Sequence, residues 1–138
     1  MDELSDIIIK HEGLRLKPYK DTVGKLTIGV GRNLDDCGIT SDEALLLLHN
    51  DLIRCTSELI KYSWYLNIDN EVRRGVLIEL GFNVGMVKFL EFKKMISAIS
   101  VFDYDLASKE LLNSLWASQV GTGRSKNMAD RLSTGEYK

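Results

Sequence analysis

One proline, two cysteines and two histidines are spread over 138 residues, and each scarcity excludes something. With Pro18 alone as a breaker, most of the chain is free to be helical. Cys37 and Cys55 form no CxxC or Cys/His ligand spacing, so they read as reduced thiols, with no metal and no cofactor expected. His11 and His49 stand far apart, near no recognisable ligand set. No apolar run approaches the roughly 20 residues that span a bilayer, so no stable membrane insertion is expected. The opening MDELSDIIIKHE is acidic, and its apolar run covers only residues 7–9. It lacks the basic start and long apolar middle of a secretory signal. The expectation is therefore a chain held in the cytoplasm where it is made, which needs another agent to release it. There is no basic excess either. Eighteen Lys and Arg face 20 Asp and Glu, for a net charge of −2 and a pI near 5.7. That balance argues against a nucleic-acid binder, which carries a basic patch or stripe. Heptads and repeats are absent too, which predicts a monomer.

What is present fits one globular domain: 44% hydrophobic and 28% charged residues. The pattern predicts an α+β, mostly helical fold with a small N-terminal β-sheet, a long interlobe helix and a helical C-terminal lobe. Residues 4–11 form a short amphipathic helix stopped by Gly13. From 14 to 31 the period changes to two, with Leu26, Ile28 and Val30 on one face and Thr27, Gly29 and Gly31 on the other. Turn residues at 21–24 make this section a hairpin or a three-stranded sheet. Thr40 and Glu43 form a T-x-x-E capping box that opens a helix reaching about residue 61. Asp69 or Asn70 caps a helix carrying Val72, Val76, Leu77 and Leu80 on one face and ended by GFNVG. Further helices are predicted over 89–99, 104–117 and 124–132. The N-terminal lobe covers about 13–60, with helix 1 packing on the C-terminal lobe of about 61–138, and a cleft between them is the default ligand site.

Four residues stand out. Most glutamates are solvated surface groups. Glu12, however, sits at the negative end of the first helix, where the macrodipole disfavours a carboxylate. A carboxyl kept protonated there suits a general acid. Asp21 alone reads as a turn residue bonding its own backbone. Hydrolysis of a glycosidic bond, though, needs two flanking carboxyl groups, one protonated and one ionised. Thr27 is ordinary in a strand, but it shares a face with two glycines, where a ligand approaches closely and a hydroxyl can orient water. Arg124, in a glycine-rich turn entering a helix, could pair with Glu12 and hold it.

HEGLRLKPYKDTVGKLTIGVG closely resembles the catalytic segment of phage-type lysozymes, glycoside hydrolase family 24. The family pattern E-G-L-R-L, Y-x-D-T-x-G, T-I-G-x-G is present in all three parts at the expected spacing. EVRRGVLIELGFNVG resembles the family's central buried helix, LLNSLWASQVGTGRSK its late helix-turn-helix, and GITSDEALLLL the start of its interlobe helix. The resemblance implies a two-lobed endolysin. Its activity would be that of a muramidase cutting peptidoglycan between N-acetylmuramic acid and N-acetylglucosamine and so lysing the host. Glu12 would be the acid, Asp21 the carboxylate that activates water and Thr27 the hydroxyl beside that water. Phe82 and Asn83 match substrate-binding positions of the C-terminal lobe, and Leu34 more loosely one of the N-terminal lobe. A holin-type partner would release the enzyme to the wall without being contacted. A familiar member inverts, which requires room for water between the carboxyl groups.

The chain departs from the family at three points. Arg32 stands where that familiar member has a histidine. RNLDDCGI shortens the segment between Gly31 and Thr40, which predicts an upper wall of the cleft that is reduced or reshaped. The charge balance is acidic rather than basic. Two rival functions follow: a lytic transglycosylase, which would leave Asp21 and Thr27 idle, and a non-catalytic homologue that only binds peptidoglycan.

Overall fold

The computed structural model describes residues 2–137, and the fold is α+β and mostly helical, with one small sheet. The chain divides into two compact units between Leu47 and Leu48, inside the long helix expected to join the lobes rather than at its end.

The first unit begins with α1 (Glu3–Glu12), capped by Asp2, whose carboxylate accepts from the Ser5 N–H at 2.7 Å. Gly13, at φ +79°, ends it by returning its N–H to the Ile9 carbonyl. Strands β1 (Arg15–Lys20), β2 (Leu26–Gly29) and β3 (Arg32–Asn33) form an antiparallel sheet in the order β1-β2-β3. Thr27 on the central strand faces Tyr19 on one side and Asn33 on the other. The expected two-residue period does not run through to Gly31. Gly29 and Gly31 take φ +70° and +65°, so the chain leaves the strand after Gly29 and returns as β3. The face expected to be stripped and open is also covered at Thr27, which is 3% exposed, while Leu26 opposite is 36% exposed.

A second correction follows directly. RNLDDCGI, expected only as a shortened segment of the cleft wall, is structured: it holds all of β3 and a one-turn helix, α2 (Leu34–Cys37). Asn33 caps it by accepting from the Asp36 N–H at 3.0 Å. Asp35 and Asp36 occupy the first turn, where the helix dipole favours acids. Helix α3 (Ser41–Leu59) then opens on the expected capping box, with Thr40 N–H to Glu43 at 2.9 Å and Glu43 N–H to the Thr40 hydroxyl at 3.2 Å. Thr27 is the only buried residue described in the first unit. A unit this small buries too little apolar surface to rest on a core of its own, so directional polar contacts hold its parts in register.

The second unit carries the core. Its helices are α4 (Ser63–Leu66), α5 (Glu71–Val84), α6 (Met86–Phe89), α7 (Lys93–Ser100), α8 (Tyr104–Leu112), α9 (Leu115–Val120) and α10 (Thr122–Thr134). Asn70, not Asp69, caps α5. Val76, Leu77 and Leu80 of α5 are fully buried among Phe89, Met95, Ile99, Leu111, Met128 and Leu132, whereas Val72 is only partly covered. The C-terminal end of α3 contributes Cys55 and Leu59 to the interior. Two helices expected as continuous are broken. The 89–99 stretch splits into α6 and α7, because Phe89, the last residue of α6, turns into the core. The 104–117 stretch breaks at Asn113 and Ser114, where Ser114 accepts from the Ala117 N–H and starts α9. No helix of the described residues is long and apolar enough to cross a membrane.

Candidate active site

Glu12 is the last residue of α1 and is exposed. Its carboxylate lies over Gly31 in the β2–β3 turn: a Cβ added at Gly31 would sit 2.9 Å from Glu12 Oε2 and 3.2 Å from its Cδ. Only a residue without a side chain allows this approach, and the positive φ asks for glycine independently. The Gly31 of the T-I-G-x-G motif thus serves as the seat of the glutamate.

Asp21 stands at the head of the β1–β2 turn. Its N–H donates to the Lys25 carbonyl at 2.9 Å, and its own carbonyl accepts from Gly24 at 3.0 Å. Its carboxylate accepts from Val23 N–H at 3.0 Å and Lys25 N–H at 2.8 Å, both on Oδ1. The turn role anticipated for a lone aspartate is therefore real. It also orients the group, since no hydrogen bond among the described residues engages Oδ2. Thr27 donates its hydroxyl proton to the same Lys25 carbonyl at 2.9 Å, leaving the oxygen able to accept. One residue's peptide groups thus tie Asp21 to Thr27. Lys25 carries no chemistry visible in the sequence, and only the backbone geometry reveals this function.

Arg32 is engaged locally. It donates to Glu43 at 2.9 Å and to the Gly38 carbonyl at 3.1 Å, closing α2 onto the start of α3. The Arg32 guanidinium beside it, followed by the Thr40 N–H, pulls the Glu43 carboxyl down to about 2 from an ordinary 4.5. A lowered value means the pair stabilises fully above 4.5 and loses its contribution as pH falls through about 2. NMR titration should place the Glu43 midpoint near 2, with Arg32→Ala returning it toward 4.5. A midpoint near 4.5 in the unaltered chain would contradict the pairing.

Three expected positions lie in the second unit. Phe82 is 44% exposed near the end of α5. Asn83 beside it accepts from the Trp116 indole N–H at 2.7 Å, and its amide N–H₂ makes no hydrogen bond among the described residues. Asn83 and Trp116 line a pocket of about 900 Å³ together with Phe92, Lys93, Glu110 and Gln119. Arg124 braces an acid that the sequence did not single out, Glu79 on α5, at 3.3 Å, and Glu79 also takes a hydrogen bond from the nearly buried Arg131. Leu34, in the first unit, opens α2 and is partly buried.

The model of the phage lysozyme family matches residues 9–133. The chain belongs to that family. It is 28% identical to the probable T4-type lysozyme 1 of Dictyostelium discoideum, over 98% of this chain and 96% of that protein. It is 30% identical to an endolysin of Acyrthosiphon pisum secondary endosymbiont phage 1, over 86% of this chain and 80% of the endolysin. It is also 26% identical to the pre-baseplate central spike protein Gp5 of Enterobacteria phage T4, over 96% of this chain but only 28% of the spike protein. The alignment to the Dictyostelium protein runs over 165 positions against 138 residues here, so that relative carries segments with no counterpart in this chain. Family membership supports a lysozyme-type glycosidase acting on peptidoglycan.

Proposed function

We propose that the chain is an endolysin-type muramidase that hydrolyses the β-1,4 bond between N-acetylmuramic acid and N-acetylglucosamine in peptidoglycan. Glu12 protonates the leaving oxygen, Asp21 activates the attacking water through its free Oδ2, and the Thr27 hydroxyl positions that water. Phe82, Asn83 and Leu34 contribute to glycan binding. Released to the wall by a membrane-permeabilising partner, the monomeric enzyme lyses the host cell. The observation that carries the reading is the shared anchoring of Asp21 and Thr27 on Lys25. A turn needs only the backbone bonds and the Asp21 contacts; the Thr27 hydroxyl bond to the same Lys25 carbonyl that takes the Asp21 N–H adds a second polar group anchored on one residue, which supports an alignment of the two. A hydrolase has use for that alignment, and a transglycosylase, in which the sugar's own hydroxyl attacks, does not.

Mass spectrometry of fragments released from purified peptidoglycan tests this directly. Free reducing muramic acid ends are expected from wild type and are expected to be lost in Asp21→Asn. Anhydro ends that survive in the variant would make the enzyme a transglycosylase, and binding without released fragments would leave only a wall-binding homologue.

Gly31→Ala gives an independent check. The added methyl meets the far end of the Glu12 side chain, which can swing away, so the steric cost to folding is small. The left-handed backbone adds about 1–2 kcal/mol. Displacing the acid by a fraction of an ångström to an ångström should cost activity up to about 100-fold. Full activity in Gly31→Ala would separate Glu12 from the chemistry.

A further inference from the structure

The segment RNLDDCGI makes two contacts with Lys25 and Leu26, the residues at the turn that holds Asp21 and Thr27. Asp35 Oδ2 accepts from the Leu26 N–H at 2.8 Å, and Asp36 Oδ1 pairs with Lys25 Nζ at 3.1 Å. Asn33, which caps α2, lies opposite Thr27 on the neighbouring strand and donates to Asp36 at 2.9 Å. The far end of the segment is pinned by Arg32 to Gly38 and Glu43. Lys25 and Leu26 are therefore gripped from outside by α2, while the Lys25 peptide groups grip Asp21 and Thr27 from inside.

Resting on the assignment of Asp21 as the water-activating carboxylate, we propose that Asp35 is a positioning residue for hydrolysis and that Asp36 supports it. Asp35 fixes the start of β2, where the Lys25–Leu26 peptide enters the sheet. The orientation of that peptide sets the Lys25 carbonyl, which accepts from both the Asp21 N–H and the Thr27 hydroxyl. A tilt at Leu26 changes both at once, moving the two groups that must address one water. Among the described residues of the first unit only Thr27 is buried, so this polar grip, rather than an apolar core, restrains the turn. The Lys25–Asp36 pair is largely exposed and contributes little by itself, which ranks Asp35 above it. In this chain the shortened wall thus serves as a brace for the catalytic turn.

The test compares Asp35→Ala, Asp35→Asn and Asp21→Asn on sonicated purified peptidoglycan, with kcat, KM and Tm measured for each. Asp35→Ala is expected to lower kcat by about 5- to 20-fold with KM within about twofold and Tm nearly unchanged, since one exposed hydrogen bond contributes little to global stability. Asp35→Asn keeps an acceptor oxygen for the Leu26 N–H and is expected to recover most of the lost kcat. Wild-type kcat in Asp35→Ala, alongside an inactive Asp21→Asn, would overturn the positioning role and leave the assignment of Asp21 standing. A loss in Asp35→Ala that tracks a fall in Tm and is not recovered by asparagine would also overturn it, as a purely structural effect. An active Asp21→Asn would remove the assignment of Asp21 and the brace argument with it.

Discussion

Replacing Glu12 by glutamine is expected to reduce peptidoglycan hydrolysis by about 10²- to 10⁴-fold while leaving the fold intact or slightly firmer. The two halves of that expectation have separate physical origins. Glutamine is nearly isosteric, so the contact over Gly31 survives, but it has no proton of useful acidity to give a leaving sugar oxygen. On the stability side, Glu12 ends α1, where the partial negative charge of the helix opposes a carboxylate. Glutamine cannot ionise, so it is spared about 0.3–1 kcal/mol of unfavourable interaction that an ionised carboxylate meets there. Activity and stability should therefore move in opposite directions, which a merely structural glutamate would not produce. Fragment release followed against enzyme concentration gives the first quantity, and urea unfolding gives the second. Retention of more than about a tenth of wild-type hydrolysis would remove the acid assignment, because general acid catalysis contributes more than that.

Much of this arrangement was legible in the sequence, for reasons that differ from place to place. Gly13 and Gly85 mark helix ends because a left-handed residue is needed there, and both have positive φ. The Thr40–Glu43 box and the Asn70 cap are short-range signals, and each forms at or beside the expected position. The apolar spacing of α5 pointed to the core because one face of a helix must meet its neighbours. Where short-range chemistry competes with tertiary demands, the reading weakened. The residues 29–31 look like a continuing strand by alternation, yet the glycines that make them look open also let the chain turn. The α2 helix had a usable signal that periodicity misses at this length. It has an asparagine cap, two acids in the first turn and Gly38 at its end. The split between α6 and α7 had no local signal comparable to these, because it follows from the burial of Phe89.

The site shows the same division. Residue types suited to chemistry are visible as types, so Glu12, Asp21 and Thr27, the proposed catalytic set, stood out together. Groups that act through the peptide backbone are invisible in that sense: any residue but proline at position 25 presents the same N–H and carbonyl to Asp21 and Thr27. Glu79 escaped notice because a glutamate on a buried-face helix reads as solvated, although it collects Arg124 and Arg131 from elsewhere in the chain.

The largest stability effect is expected at Phe89. It is fully buried, and its ring stacks on Trp64 with centroids 6.0 Å apart and planes 11° apart, while Trp64 stacks in turn on Tyr62 at 5.4 Å. Gly81 of α5 lies close enough that a Cβ there would come within 3.9 Å of the Phe89 ring. The ring therefore joins the start of α4, α5 and the α6–α7 break in one packed layer. Phe89→Ala removes the whole ring from a site whose neighbours lie on separate helices and cannot all close inward. Truncations of this kind cost about 3–5 kcal/mol. Against a typical total of about 5–15 kcal/mol, that is a large share of what holds a domain folded. The midpoint of urea unfolding should fall sharply with little change in slope, since the surface exposed on unfolding is nearly the same. Phe89→Leu should recover a good part of the loss, because a leucine refills most of the volume while forfeiting the stacking on Trp64. A Phe89→Ala variant with an unchanged midpoint would mean that the layer between α4 and α5 does not depend on this ring.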